Sequence, residues 1–212
     1  MTADLLPVAV LAACIWTYWV GAMRMVVRVR RKSRQRTAGL VPRQPLERAL
    51  WALWVPAVLA WLAFPVAALA SSDPPLAPAP AMTPPAAVRW IGAAVAAIAL
   101  LGTMRCWKLM GRNWRMGVVP GERTDLVTRG IYARVRHPIY ALSLLLMAST
   151  VVVLPTAPVA ALAILHGTLL WTKARNEERF LLEAHGSAYA EYRERTGGFL
   201  PRLRATRRAA EP

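Results

Sequence analysis

The chain has few of the residues that build disulfide frameworks, metal clusters or soluble nucleotide-binding folds. Only two cysteines, Cys14 and Cys106, occur among its 212 residues, and both lie in or beside apolar segments. Neither a disulfide framework nor a cysteine metal site is therefore expected. No Gly-x-Gly-x-x-Gly sequence follows a strand-like segment, which argues against a soluble dinucleotide-binding fold.

Acidic residues are scarce as well. Eleven Asp and Glu stand against 27 Lys and Arg, which gives a formal net charge of +16. A charge of this size can indicate nucleic-acid binding, but the arginines occur in runs beside apolar segments rather than along one interleaved face. Basic clusters next to membrane spans account for this charge. We therefore expect the lipid bilayer, and not nucleic acid, as the partner of this chain.

Apolar residues are abundant. They make up 56% of the sequence, and the mean hydropathy is +0.34, which is too apolar for a soluble domain of this size. Three segments, 5–27, 49–70 and 88–104, approach or reach the length of about 20 residues that a bilayer helix needs. We expect an all-α integral membrane helical bundle.

The charges around the first apolar segment predict its orientation. Asp4 precedes it, and Arg24 and Arg28 lie at its other end. A cleaved signal peptide would carry its positive charge first, so we expect a retained helix with the N-terminus outside. The arginine-rich residues 28–48 then face the cytoplasm, and the proline-rich residues 71–85 form an extended outer linker.

The second half predicts a helical hairpin over residues 138–171 that turns at Pro155 to Pro158. Its second arm is short for a membrane span. Either the hairpin enters from the cytoplasmic side, or its helix continues past Lys173 into water. In both cases the two ends of the hairpin meet on the cytoplasmic face, where His137 approaches residues 173–178. About five transmembrane helices result, with a cytoplasmic loop at 105–137, cytoplasmic helices at 172–201 and a basic tail at 202–212.

A compact polar segment, LVTRGIYARVRHPIY at residues 126–140, interrupts the apolar pattern. Pro138 suits the first position of a helix, where its missing N–H costs nothing. The helix start, together with Arg136 and His137, predicts an anion site. The alternative is a hydrogen-bonded His137 at the membrane boundary without a role in chemistry.

Other polar residues have equally plain alternatives. Glu177 and Glu178 could be solvated charges that pair with Lys173 and Arg175 at helical spacing. Tryptophans 107 and 114, with Met116, either anchor the chain at the headgroups or line a site. His166 and His185 have no evident partners, and we assign them no role.

The order of these motifs resembles the isoprenylcysteine carboxyl methyltransferase family and the wider group of membrane phospholipid methyltransferases. That pattern joins a Leu-Val pair, Gly-x-Tyr, Arg-His-Pro-x-Tyr, two glutamates, Gly-x-x-Tyr-x-x-Tyr and a closing proline. The matching residues here are Leu126, Val127, Gly130, Tyr132, Arg136, His137, Pro138, Tyr140, Glu177, Glu178, Gly186, Tyr189, Tyr192 and Pro201. The resemblance covers roughly the C-terminal half.

The resemblance implies a single membrane methyltransferase domain over residues 1–212, with S-adenosylmethionine as cofactor in a cytoplasmic helical pocket. The acceptor is hydrophobic and enters from the bilayer, and no metal is needed. The cofactor-binding residues carried over are Leu126, Val127, Tyr132, His137, Pro138, Ile139, Tyr140 and Glu177. An arginine that contacts substrate in the family falls on Lys173, which keeps the charge but loses the bidentate fork.

Three departures concern the acceptor side of the pattern. A frequent glycine is Leu142 here, and basic or proline residues are replaced by Gly197 and Gly198. We expect O-methylation of a prenylcysteine-like α-carboxylate. The alternatives are N-methylation of a phospholipid amine, with Glu178 as the base, or S-methylation of a small thiol.

Two further hypotheses come from other classes. Sterol reductases are similar in the C-terminal hairpin, so an NADPH-dependent membrane reductase is one alternative. A protein whose basic loops only bind anionic lipid is the other. The sequence leaves the oligomeric state open.

Overall fold

The computed structural model describes residues 5–32, 44–71, 84–116 and 125–202. Within these ranges the chain is helical and has no strand, apart from one isolated bridge between Val135 and Gly197. The α-helices are α1 (Leu6–Lys32), α2 (Pro45–Ala70), α3 (Ala86–Met110), α4 (Pro138–Val153), α5 (Ala157–His185) and α6 (Ser187–Arg195). The expected basic tail after Arg202 and most of the expected outer linker lie outside the described residues.

Three helices, α1, α2 and α3, are long and apolar enough to cross a membrane. The described residues are therefore all-α, as expected, with three candidate membrane spans. Each helix extends beyond the apolar segment that predicted it, because polar residues at the ends continue the helix; α1 reaches Lys32 and α3 reaches Met110. Helix α4 is apolar but has only 16 residues.

The core lies where the first four helices meet. Leu11, Ile15, Trp61, Ala96 and Leu146 have no exposed surface and belong to one apolar cluster. Helix α3 packs on α1 and α4, and α2 packs on α1 and α5. The bundle thus brings the N-terminal spans against the hairpin.

Glycines on α3 allow α4 to approach closely. A Cβ on Gly92 would lie 2.9 Å from a methyl group of Val153, and a Cβ on Gly102 would lie 3.1 Å from the methyl groups of Leu142. Small residues at such crossings let membrane helices pack tightly. Leu142, one of the departures from the family pattern, therefore fills the space over Gly102.

The hairpin consists of α4, a turn at residues 154–156, and α5. Thr156 caps α5, because its hydroxyl accepts a hydrogen bond from the Val159 N–H at 3.4 Å. Helix α5 runs on to His185, well past Lys173. The helix thus continues past Lys173, which is the feature that the second of the two alternatives predicted. Gly186, at φ 54°, ends α5 and separates it from α6.

Candidate functional site

A cavity of about 240 Å³ lies at the end of the bundle where the hairpin helices begin and end. Its walls come from residues 113–116 and 125–143, from α1, α2 and α3, and from α5 and α6. All eight residues predicted to bind the cofactor line it: Leu126, Val127, Tyr132, His137, Pro138, Ile139, Tyr140 and Glu177. Lys173 lines it as well, and Glu178 stands outside the lining.

Backbone pairing holds one wall of this cavity in place. The N–H groups of Arg136 and His137 donate to the carbonyls of Gly197 and Gly198 at 2.8 and 3.0 Å, and the Gly197 N–H donates to Arg134 at 3.0 Å. A Cβ on Gly197 would lie 1.7 Å from the Leu200 carbonyl oxygen. The two glycines, which depart from the family pattern, therefore allow the chain after α6 to pair with the segment before α4.

His137 sits at the start of α4 as expected, but its side chain is already engaged. Its ring is 5% exposed, stacks on Tyr140 with centroids 5.5 Å apart, and packs against Phe199 at 5.9 Å. Nε2 lies 3.1 Å from Glu178 Oε1, and Nδ1 lies 3.7 Å from Glu177 Oε2. The expected approach of His137 to residues 173–178 is thus present.

The start of α4 still offers donors to an anion. Pro138 occupies the first turn, and the His137 side chain does not cap the helix. The N–H groups of Ile139 and Tyr140 lie in that first turn, where no carbonyl of the helix itself reaches them. Both residues line the cavity, so these N–H groups, rather than the His137 ring, are the natural partners of a carboxylate.

Arg136 and Glu178 form a clamp beside the cavity. Arg136 Nε donates to Glu178 Oε1 at 2.7 Å, and its Nη1 donates to the carbonyls of Arg193 and Thr196. Burial alone would raise the pKa of Glu178, but hydrogen bonds from His137 and Arg136 and the Arg136 charge lower it to about 2. Glu178 is therefore ionised at neutral pH, and His137 Nε2 donates to it. This geometry favours a positioning role for Glu178 over that of a base.

Several polar side chains line the cavity, and some of them have no partner in the described part of the chain. Glu177 accepts a hydrogen bond from the Tyr140 hydroxyl. Among the described residues, the buried hydroxyls of Tyr132 and Tyr189 have no hydrogen-bond partner, and burial raises the pKa of both. Buried polar atoms are rarely left unsatisfied. Since both tyrosines line the cavity, a polar ligand there would supply the missing partners.

Lys173 is tied to the first turn of α2, which sequence reasoning did not foresee. Its Nζ donates to Glu47 Oε2 at 3.1 Å, and the Asn176 amide donates to Glu47 Oε1 at 2.8 Å. Glu47 is 1% exposed. In the sequence, Glu47 is marked only by its position as a carboxylate at the edge of an apolar segment. Lys173 pairs with Glu47 and not with the neighbouring glutamates on α5.

Aromatic side chains form the opposite wall. Trp107, Trp114 and Met116 line the cavity, and both tryptophans are buried. Of the two alternatives for this stretch, the structure has the site lining. Tyr18, Trp19 and Trp54 join them from α1 and α2. These three were missed, because residues of the N-terminal spans look like ordinary core aromatics in the sequence.

His166 also gains a partner. Its Nε2 lies 3.0 Å from the Ser143 hydroxyl, its ring lies 5.0 Å from that of Trp61, and it is 1% exposed. Ser143 lines the cavity. His166 does not line the cavity but holds Ser143, which does. Among the described residues, no three His, Cys, Asp or Glu side chains lie together as metal ligands would.

Most of the residues that line the cavity lie in a segment that resembles a known protein family. Residues 90–183 match the model of the isoprenylcysteine carboxyl methyltransferase family. This segment, less than half of the chain, is similar to that family. The match suggests a membrane methyltransferase, and the three long apolar helices agree with an integral membrane protein.

Two curated relatives are named as metal resistance proteins. The chain is 30% identical over 115 residues to the nickel-cobalt-cadmium resistance protein NccN of Alcaligenes xylosoxydans xylosoxydans, covering 54% of this chain and 53% of the relative. It is 32% identical over 116 residues to the cobalt-zinc-cadmium resistance protein CzcN of Cupriavidus metallidurans, covering 54% and 52%. The chain thus spans about half the length of these relatives.

Proposed function

We propose that the protein is an S-adenosylmethionine-dependent methyltransferase that acts on a hydrophobic acceptor at the membrane. The observation that carries this proposal is the cavity, because all eight residues that the family resemblance assigned to the cofactor line it. Seven of them fall within residues 126–140, and the eighth, Glu177, comes from α5 at the other end of the hairpin, so the fold joins two separate parts of the family pattern at one cavity.

The residues present fit the proposed cofactor. Its carboxylate is matched by the N–H groups at the start of α4, and its amino group or ribose hydroxyls by Glu177. Tyr132 and Tyr189 supply two unpartnered hydroxyls on the cavity wall. When bound, S-adenosylmethionine supplies a methyl group on a sulfonium centre. The aromatic wall excludes water and orients what enters, which is the main contribution such a site makes.

We propose a prenylcysteine-like carboxylate as the first acceptor to test. Lys173 faces the cavity and keeps N–H donors after its bond to Glu47, because an ammonium group has three. A carboxylate is ionised at neutral pH and requires no base. Both relatives come from bacteria, and prenylated proteins are mainly eukaryotic. Phospholipid amines and small thiols are therefore tested as acceptors as well.

Calorimetry on the purified full chain tests the proposal. S-adenosylmethionine is expected to bind, and Glu177→Gln is expected to weaken binding at least about tenfold, a change of about 1.4 kcal/mol. His137→Ala is expected to weaken it too, by releasing Glu177, Glu178 and Tyr140. Glu183→Gln, on the exposed side of α5, is the control. Absence of binding in the unaltered protein, or NADPH binding in its place, would overturn the proposal.

The acceptor is found separately, by transfer of a radiolabelled methyl group to a prenylcysteine, phosphatidylethanolamine and small thiols. Label in the prenylcysteine alone would support O-methylation. Label in the amine or the thiol would reject the carboxylate acceptor while leaving the methyltransferase intact.

A further inference from the structure

A second cavity, of about 630 Å³, runs along the outside of α1 and is closed on one side by Leu62 of α2. Trp16, Val20, Met23 and Val27 line it, and each is between 44 and 47% exposed. Their intervals of four, three and four residues place them along one face of the helix. The result is an apolar groove on the surface of the bundle.

The groove ends in three arginines. Arg24, Arg28 and Arg31 line it at helical spacing and are exposed. Within the part of the chain that the structure describes, none of the three lies within ion-pair distance of a carboxylate, and no acidic residue lines the groove. This end of the groove is therefore positively charged, and no acidic side chain among the described residues neutralises it.

The length of the groove matches one leaflet of a bilayer. From Trp16 to Val27 the helix rises about 16 Å, and half of the hydrocarbon core is about 15 Å. Arg28 and Arg31 follow directly, at the depth where headgroups begin. Arg24, one turn inside, can extend its side chain to the same level.

We propose that this groove binds one anionic phospholipid, with an acyl chain along Trp16, Val20 and Met23 and the phosphate between the arginines. Three unopposed guanidinium groups favour an anionic headgroup over a zwitterionic one. A second copy of the chain is a poor occupant, because the net charge of +16 would bring like charges together. Trp19 lines both this groove and the candidate site, so the lipid would touch a wall of the cofactor cavity.

Native mass spectrometry of the purified full chain, titrated with phosphatidylglycerol or phosphatidylcholine, tests the proposal. One tightly bound phosphatidylglycerol is expected. The triple variant Arg24→Gln, Arg28→Gln, Arg31→Gln is expected to weaken its binding at least about tenfold. Arg105→Gln with Lys108→Gln removes exposed charges from α3 outside the groove and is expected to change little.

Two further arms identify what the groove recognises. Val20→Trp fills the groove and leaves the arginines, so it is expected to weaken lipid binding while the protein still folds as judged by its melting temperature. Glycerol 3-phosphate, which has the headgroup chemistry without the chains, is expected not to compete. Equal binding of both lipids, full competition by glycerol 3-phosphate, or a lipid-sensitive dimer sealed at this face would each overturn the proposal. None of these readouts depends on S-adenosylmethionine.

Discussion

At the scale of single residues, the site is held by a small set of charges and two glycines. Arg136 joins Glu178 to the carbonyls at the end of α6, while Gly197 and Gly198 pair with Arg136 and His137. Glu178, Gly197 and Gly198 stand outside the cavity lining, whereas Arg136 and His137 belong to it. Loss of Glu178, Gly197 or Gly198 should therefore act through the position of His137 and the residues after it.

The Arg136–Glu178 pair predicts acid sensitivity. The folded protein lowers the pKa of Glu178 from its ordinary 4.5 to about 2. This carboxylate therefore stabilises the fold above about pH 4.5 and loses that contribution as the pH falls from there toward 2. Glu178→Gln should lower the melting temperature at pH 6. The free energy of unfolding should fall by an amount on the order of 1.5–3 kcal/mol, which is typical of hydrogen bonds to charged groups.

Thermal unfolding of wild type and variant between pH 6 and pH 3 measures this effect. The difference between them should shrink at the acid end. Glu183→Gln is the matched control, since Glu183 is exposed on the same helix. A constant difference across the range would show that Glu178 is not the titrating group.

Gly197 and Gly198 predict opposite outcomes for the same substitution. A Cβ on Gly197 would overlap the Leu200 carbonyl oxygen, whereas the nearest atom to a Cβ on Gly198 is Arg136 Nη2 at 3.7 Å. Gly197→Ala should destabilise the paired segment by about 1–3 kcal/mol, as overpacking does. Gly198→Ala should be tolerated. Hydrogen exchange of the Arg136 and His137 amides would report the difference, and equal protection in both variants would contradict it.

At the scale of elements, the α4–α5 hairpin decides whether a cavity exists. The segment before α4 and residues 173–178 of α5 are separated by α4 and the first part of α5, and the turn at residues 154–156 brings them together. Helix α5 serves both functions, since its first part packs in the bundle and its last part carries Glu177.

Removing the turn should therefore abolish cofactor binding without changing a lining residue. Replacing residues 155–158 with four alanines favours one continuous helix, because Ala is the best helix former and both prolines are lost. S-Adenosylmethionine binding by calorimetry should fall below detection. Thr156→Ala alone removes the cap at a cost of about 1 kcal/mol and should leave binding intact. Retained binding in the four-alanine variant would show that the turn is dispensable.

At the scale of the whole molecule, we propose five membrane crossings, with the N-terminus outside and the C-terminus and cofactor cavity in the cytoplasm. We further propose that residues 1–212 act as one domain. Helix α5 has 29 residues, or about 43 Å, enough to cross a core of about 30 Å and project beyond it. Helix α4, at about 24 Å, spans only with local thinning or polar flanks.

Labelling from outside the cell tests the proposed crossings. Cys14 and Cys106 are first replaced with alanine, and Ala157→Cys is then introduced at the exposed start of α5. A membrane-impermeant maleimide should label this residue in intact cells. A cysteine at Glu183 is the control and should react only after lysis. Protection of both positions would show that the hairpin enters and leaves on the cytoplasmic side.

The sequence by itself determined the helical class, the three long apolar segments and the hairpin, and the family resemblance carried by its spaced motifs pointed to the eight residues that line the cavity. These follow from local features: apolar length, proline at a helix start, glycine at a helix end, and spaced motifs. Tertiary structure decided the partners. Glu47 meets Lys173 across 126 residues, and Trp19 and Trp54 join the cavity wall. Such contacts depend on how each helix is rotated and packed against its neighbours. Local patterns carry no record of that rotation, because many rotations bury a similar apolar surface.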